Sequence, residues 1–365
     1  MAHELQERYS PLVLAKIRKE NKLKTGVVFN SDYEGSPKAG AVKIPVRDTE
    51  VAVSDYDKAN GITAGTGSTA YETFPIRKDK GVNEIIDGFD AQAVPDNLVA
   101  DRLDSAGYML ASAIDNDGAT TLIAGATPMS IDALAFDTVY SRIVDIRTAM
   151  SKANIPDDGK RYLLVTPDTM GYILKAPEFI KASDLGDAVV QEGVIGKIAG
   201  FKVIEWNDST AGLAMIAGHP RFATRAEEFA VPVHIQDLSG SGKYIGASAV
   251  QGRYVYDHKV LRSAAIRAVY SPAHLVLSAA QGAASGTAVL TVSAGNTGTT
   301  YAYKLNPSER AAYGITSSAY GGTSLTSGTT EINAAEGDII EVVNFSSSKA
   351  VAVGYITVTA AMLKA

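Results

Sequence analysis

The chain contains no cysteine, so disulfide bonds and thiolate metal ligands are excluded, and nothing requires an oxidising compartment. It also lacks an apolar run near the roughly 20 residues that cross a bilayer. The first eight residues include Glu4, Glu7 and Arg8, which are charged where a secretion signal is apolar. The sequence therefore predicts neither secretion nor membrane insertion, and it favours a cytosolic protein.

A large positive charge is missing as well. The formal net charge is -6, whereas proteins that grip nucleic acid usually carry a basic face or stripe. The segment near the start is locally basic, with Arg18, Lys19, Lys22 and Lys24. We favour a solvated helix face there, and contact with an acidic neighbour or with DNA is the alternative.

What the chain does have is length and apolar content. With 365 residues and 46% hydrophobic residues, it is expected to form two or three domains. Ser10-Pro11 predicts the start of a short helix. Between Gly35 and Phe89, strand-like runs and turn signals predict a long two-stranded arm. An isolated hairpin is only marginally stable, so we expect the arm to lie on a neighbouring subunit.

Helices follow the predicted arm. Apolar residues at steps of three and four predict a long helix that begins after Asp96 and ends near Asp117-Gly118. A second helix is predicted from Val139 to Met150, before Pro156. The predicted core positions of the long helix are Val99, Leu103, Ala106, Leu110 and Ala113. Those of the second helix are Val139, Ile143, Ile146 and Met150.

The composition changes after Ser271-Pro272, where Ser, Thr, Gly and Ala dominate and charged residues become rare. Strand-like runs separated by Gly, Asn and Ser predict a small all-β sandwich. These runs are Ala288 to Val292, Thr300 to Leu305, Ile339 to Val343 and Ala350 to Thr359. Nothing in this region indicates chemistry.

No catalytic or metal-binding pattern emerges from the rest. The five histidines lack the spacing of a metal site. Gly65 to Ala70 fits a dinucleotide-binding spacing, but a strand follows it where that motif needs a helix. Asp115 to Gly118 resembles the start of a calcium loop, yet Ala126 stands where the bidentate Glu belongs, so a helix end is favoured. We therefore expect no enzyme activity, no cofactor and no metal.

An ordered set of segments resembles the major capsid proteins of tailed bacteriophages. Asn30 to Gly35 followed by Val42 to Pro45 is similar to the entry of their extended loop. Ala113-Ile114-Asp115 resembles the usual end of their spine helix. Arg161 to Pro167 and Gly193 to Phe201 resemble segments of their axial domain.

The resemblance implies an α+β fold of the Hong-Kong-97 type, with an N-terminal arm, an extended β-hairpin loop, a long spine helix, and peripheral and axial domains. The implied boundaries are 1–34 for the arm, 35–95 for the loop, 96–271 for the capsid core, and 272–365 for a C-terminal β-sandwich surface domain. Within the core, Phe136 to Ile155 would lie in the peripheral domain. Gly328 to Ala361 resembles immunoglobulin-like or repeat modules of phage and bacterial surface proteins.

The resemblance also implies a function carried by interfaces. Pentamers and hexamers of this chain would close into an icosahedral head around double-stranded DNA, without sequence-specific binding and without a membrane. A portal protein and a separate scaffolding protein are the implied partners. The protein would be assembled in the host cytoplasm and reside in the virion. Candidate contacts between subunits are Arg18, Lys19, Lys22, Lys24, Lys43, Lys58, Tyr71, Phe74, Arg77 and Lys78.

Several points stay open at this level. The scaffolding protein is inferred because no cleavable scaffolding segment is recognisable before the arm. No covalent cross-link is expected, because the family's lysine cannot be placed on Lys58, Lys78 or Lys80. An encapsulin-like compartment with an enzyme cargo is the main alternative. A surface-layer or adhesin protein and a soluble enzyme rank lower. The C-terminal region could serve for decoration, attachment to carbohydrate or host surfaces, or stabilisation of neighbouring capsomers.

Overall fold

The fold is described from a computed structural model of the chain. The structure describes residues 18–33, 40–47, 51, 53, 55–59, 61–62, 67–88, 98–131, 134–180, 196–208, 210, 212–271, 275–294 and 300–364. The helix predicted at Ser10-Pro11 and the predicted helix cap Asp96 lie outside these residues. Within the described part, no helix is both long and apolar enough to cross a bilayer.

The chain forms two compact units. One comprises residues up to 124 together with 220–261, and the other comprises 125–219 together with 262 onward. The first unit contains a two-stranded hairpin, a three-stranded antiparallel sheet and a long helix. Its elements are β1 (Ala41–Arg47), β2 (Thr69–Pro75), β3 (Lys78–Ile86), β9 (Ala223–Asp237), β10 (Ser248–Val260) and α1 (Leu98–Gly125).

The predicted arm is divided between the two sheets of this unit. β1 and β2 pair with each other as an antiparallel hairpin, whereas β3 pairs with β10, which also pairs with β9. A single returning strand was predicted from Tyr71 to Lys78. The structure corrects this prediction: the strand is interrupted at Ile76 and Arg77, where the backbone N–H of Arg77 donates to Asp257 at 3.1 Å.

The helix α1 is 28 residues long, about 42 Å at 1.5 Å per residue. Leu110 and Ile114 are buried and pack on Tyr254 and Tyr256 of β10. The predicted core position at Ala113 is half-buried, and its neighbour Ile114 takes the inner face instead. Burial at steps of four therefore fixes which side of the helix meets the sheet.

α1 does not end at Asp117-Gly118, where the sequence predicted its end, but continues to Gly125. The reason is packing on this stretch from distant parts of the chain. A Cβ at Gly118 would come within 3.2 Å of the Phe29 ring and of His258 Nε2, so the glycine allows close approach rather than a turn. Leu122, one turn further, is fully buried and stabilises the continued helix.

The second unit contains a six-stranded mixed sheet in the order β4-β11-β8-β5-β7-β6. β5 and β8 are its central strands, and every residue in them is buried. The strands are β4 (Thr127–Pro128), β5 (Tyr162–Val165), β6 (Lys197–Ile198), β7 (Phe201–Glu205), β8 (Leu213–Gly218) and β11 (Arg267–Tyr270). The helices that accompany it are α2 (Val139–Lys152), α3 (Pro167–Lys175) and α4 (Pro177–Ile180).

The second predicted helix is confirmed as α2. Its four predicted core residues, Val139, Ile143, Ile146 and Met150, are all fully buried. Asn154 follows with a positive φ of 56°, a conformation that ends the helix before Pro156.

The C-terminal part of this unit is built from two antiparallel sheets, in the orders β12-β13-β16 and β15-β14-β17-β18. The four strands predicted there appear as β13, β14, β17 and β18. The elements are β12 (Val276–Gln281), β13 (Thr287–Ala294), β14 (Thr300–Leu305), α5 (Ser317–Tyr320), β15 (Thr323–Leu325), β16 (Glu331–Asn333), β17 (Ile339–Ser346) and β18 (Lys349–Thr357).

β17 is buried on both of its faces. Val342 packs with Leu290 and Ile332 of the three-stranded sheet. Val343 points the other way and packs with Tyr320 and with Ile131, which precedes α2 in the sequence. The four-stranded sheet therefore lies between a second sheet and a layer that includes residue 131.

Candidate subunit contact surfaces

The β1–β2 hairpin has one face that is held by its own chain. Ile44, Phe74 and Ile76 are buried and pack with Ala226 at the start of β9. Lys259 adds an ion pair with Glu72 at 2.8 Å and donates to the carbonyl oxygen of Thr73 at 2.7 Å. The base of the hairpin is thus anchored within the first unit.

The opposite face of the hairpin is exposed. Side chains alternate along a strand, so Lys43 and Pro45 of β1 lie on the face opposite Ile44. Tyr71 stands across from Pro45 and is 67% exposed. A large aromatic ring at this position is available to a partner.

Beyond the hairpin, apolar side chains extend into solvent. Val51 is 87% exposed, Val53 is 97% exposed and Tyr56 is 73% exposed. A local turn follows, in which the N–H of Gly61 donates to the Asp57 carbonyl oxygen at 2.7 Å. We define Val51, Val53, Tyr56 and Ile62 as the loop-end patch. Large apolar side chains exposed within a short stretch of chain are common where another molecule covers the surface.

The basic N-terminal segment contacts its own chain. Arg18 forms an ion pair with Asp104 at 2.5 Å and lies over the Tyr108 ring. Tyr108 in turn donates its hydroxyl to the Lys19 carbonyl oxygen at 2.8 Å. Residues 18 to 23 therefore run along α1.

A buried polar cluster secures the end of this segment. The N–H of Leu23 donates to Asp115 Oδ1 at 2.8 Å, and Arg225 Nη2 donates to the Leu23 carbonyl oxygen at 2.8 Å. Arg225 Nε donates to His258 Nε2 at 2.9 Å, and the ring of Phe29 packs against both side chains. The strands β9 and β10 position Arg225 and His258 as cross-strand partners.

Burial shifts the pKa values of the ionisable groups in the cluster. Burial, aided by the positive charges of Arg225 and Lys78, lowers the pKa of His258 to about 3. The ring is therefore neutral and accepts the hydrogen bond from Arg225 at Nε2. Burial raises the pKa of Asp115 and lowers that of Arg225. The cluster holds the segment in place but presents no reactive group to solvent.

The chemistry considered from the sequence is not assembled here. Among the described residues, no group of three His, Asp or Glu side chains could hold a metal ion. Asp115 and Asp117 lie inside α1 rather than in a calcium loop or at a helix end. Asp158 accepts from the buried His219 at 2.9 Å, which lowers the pKa of Asp158. Gly65 and Thr66 of the glycine motif lie outside the described residues, and Thr69 begins β2.

Comparison with known proteins gives a clear structural result. No protein-family model and no curated protein matches the chain. A solved structure from Mycobacterium phage Che8 aligns with a TM-score of 0.61 at 22% identity, over 73% of this chain and 96% of that one. The capsid structure of the cyanophage P-SCSP1u has a TM-score of 0.61 at 13% identity, over 73% and 92%. The capsid of an empty GTA particle has a TM-score of 0.53 at 14% identity, over 74% and 96%.

The chain has a phage capsid fold. The alignments cover 92% and 96% of the two capsid chains, and about a quarter of this chain lies outside them.

The ten candidate contacts fall into three groups. Phe74 is only 1% exposed and packs within its own chain, so the structure corrects its assignment as a surface contact. Arg18, Lys22 and Lys78 pair with acids of the same chain, namely Asp104, Glu20 and Asp117. Lys19 lies 3.5 Å from Asn116 Oδ1. The exposed candidates are Lys24, Lys43, Lys58, Tyr71 and Arg77.

Sequence reasoning missed the loop-end patch and the buried cluster. Val51, Ala52 and Val53 form a short apolar run, and that run was interpreted as a strand rather than as an apolar surface. His258 was interpreted as an ordinary histidine, since its partner Arg225 is 33 residues away. Only the pairing of β9 with β10 brings these two together.

Proposed function

We propose that the chain is the major capsid protein of a tailed bacteriophage. The observation that carries this proposal is the capsid fold, which matches more than nine tenths of the compared capsid chains. By this proposal, pentamers and hexamers of the chain close into an icosahedral head around double-stranded DNA. The protein is a structural component without catalytic activity, and its working surfaces are contacts between copies.

The arm supports this proposal. Its base is held by Ile44 and Phe74, while its far end carries Val51, Val53 and Tyr56 in solvent. Burying such side chains gains about 25 cal/mol per Å² of apolar surface, which a neighbouring subunit can supply. We assign the hairpin and the loop-end patch to the extended loop of a Hong-Kong-97-type subunit, and α1 to its spine helix.

Other parts of the proposal concern partners and place. A separate scaffolding protein directs assembly in the host cytoplasm, and a portal protein occupies one vertex of the virion. The net charge of -6 favours weak, sequence-independent contact with the packaged DNA. No lysine cross-link forms, so a denaturing gel of particles should show single chains.

Electron microscopy of the purified protein tests the proposal. The protein should be expressed alone and then with its neighbouring phage genes, and closed icosahedral particles or rings of five and six are expected. Nuclease-protected DNA in particles from infected cells is expected, whereas a protein cargo would favour an encapsulin-like compartment. A protein that stays monomeric with every partner would contradict the proposal.

A further inference from the structure

Residues 275–364 bury a residue that belongs to a distant stretch of the second unit. Ile131 is fully buried in a cluster with Val343, Phe345 and Val353. Its N–H donates to the carbonyl oxygen of Ala311 at 2.9 Å, and Ser130 forms a β-bridge with Ala312. Residues 130–131 thus complete the outer layer of the four-stranded sheet.

A buried carboxylate lies at this junction. Glu341 of β17 is fully buried, and three donors satisfy it. Its oxygens accept from the hydroxyl of Tyr320 at 2.9 Å, the hydroxyl of Tyr355 at 3.0 Å and the N–H of Ala311 at 3.1 Å. An ionisable group is costly to bury unless it is fully hydrogen-bonded. This network therefore specifies one arrangement of the outer layer.

The junction continues to α2. The Tyr355 hydroxyl also lies 3.4 Å from the carbonyl oxygen of Ile131. Arg142 of α2, which is 7% exposed, donates through Nη2 to the carbonyl oxygen of Ser130 and, at 3.1 Å, to its hydroxyl. A continuous set of buried and half-buried contacts links the sheet to this helix.

We propose that residues 275–364 have a second role as an internal brace of the subunit. They fix residues 130–131 through the Ile131 pocket and the Glu341 network, and through Arg142 they fix α2. The C-terminal region is thus a stabilising part of the second unit in addition to whatever it displays at a surface. A C-terminal domain that served only for display would not cover residues 130–131, and these residues would be exposed to solvent.

Hydrogen exchange on the purified full-length chain tests the brace. The first variant is Leu290→Ala. Leu290 packs with Val342 and Ile332, in a cluster that does not include Ile131. The substitution should speed exchange in β17 and β18 by about tenfold or more, because it leaves a cavity. If the brace operates, exchange in residues 139–152 should rise by a similar factor. Exchange that rises in the strands and stays unchanged in the helix would overturn the proposal.

A milder variant keeps the test informative if Leu290→Ala fails to fold. Tyr355→Phe removes one donor to Glu341 and keeps the ring, so the fold should persist. It should speed exchange severalfold at residues 130–131 and at the first turn of α2. The control is Val276→Ala, where the side chain is 57% exposed and neither region should change. Unchanged exchange around residue 131 in Tyr355→Phe would contradict the brace.

Discussion

The loop-end patch and the C-terminal sheets use apolar residues in opposite ways. In the sheets, Val342 and Val343 face opposite sides of β17 and both are fully buried by the same chain. In the loop, Val51 and Val53 are separated by one residue, and both lie in solvent. The same residue type thus contributes to folding in one region and remains available for association in the other. Stability and assembly should therefore respond to different substitutions.

The largest expected effect on folding is in the C-terminal sheets. Phe345→Ala removes a buried ring from the cluster around Ile131, and we expect a loss of about 3–5 kcal/mol in the free energy of unfolding. Chemical denaturation of the purified chain measures this loss. Val276→Ala in the same region should change the free energy by less than about 0.5 kcal/mol. Equal effects of the two variants would show that burial in the C-terminal sheets does not decide how much a side chain contributes to stability.

The reverse pattern is expected for the loop-end patch. Replacing Val51 and Val53 together by Ser should leave the free energy of unfolding within about 1 kcal/mol of the parent, because both side chains are already hydrated. Assembly should suffer, with the protein concentration needed for particles rising about tenfold or more. Sedimentation and electron microscopy across a concentration series measure this.

The control for the patch variant is Val276→Ser, which is also exposed but lies in the C-terminal sheets. It should assemble like the parent. Unimpaired assembly of the patch variant would show that another surface makes the contact.

A pH titration tests the buried polar cluster around His258 separately from the loop-end patch and the C-terminal sheets. The pKa of His258 is about 3 in the fold and about 6.5 when unfolded, so the unfolded chain takes up the proton first. Its contribution to stability is complete above pH 6.5 and falls by up to about 1.4 kcal/mol per pH unit below it. Asp115 has the opposite effect on stability. Its pKa is raised in the folded chain, so the folded chain takes up this proton first as the pH falls, and the free energy of unfolding rises.

The variant His258→Gln should weaken this pH dependence between pH 6.5 and 4, since an amide oxygen can still accept from Arg225. Urea unfolding at several pH values measures the slope. The comparison variant is His234→Gln, which removes a half-buried histidine outside the buried cluster and serves as the matched control. A slope that is identical in His258→Gln and the parent would rule out His258 as its source.

The smallest effect on the free energy of unfolding is expected at the exposed ion pair of the N-terminal segment, residues 18–23. Arg18→Ala breaks the ion pair with Asp104, whose side chain is 69% exposed. Solvent screens such pairs, so the loss should be below about 1 kcal/mol and should shrink further in high salt. Thermal unfolding at two salt concentrations checks this. A loss comparable to Phe345→Ala would place the segment among the main stabilising contacts.

Much of the fold was accessible from the sequence because its signals are local. The spacing of Val139, Ile143, Ile146 and Met150 predicted both the helix α2 and its buried face, and the structure confirms them. The strand from Thr300 to Leu305 was predicted with its observed bounds. In both cases the pattern of apolar residues within one element carries the information.

The misses depend on contacts between residues distant in sequence. Asp117-Gly118 is a turn signal by itself, and α1 continues through it because Phe29 and His258 pack on Gly118. Phe74 was expected at a surface, and Ala226 from β9 covers it. The Arg225–His258 pair likewise requires the alignment of two strands. The spacing of apolar residues within a single helix or strand does not predict these contacts.

The loop-end patch also has a consequence for solubility. In the proposed assembly, a free subunit exposes Val51, Val53, Tyr56 and Ile62, and exposed apolar side chains can also bind unrelated apolar surfaces. Aggregation and correct association then compete for the same side chains, and their rates depend on how long newly made chains stay free. If the chain assembles as proposed, a fast supply of partners should limit its precipitation, and the single chain should be its least soluble form.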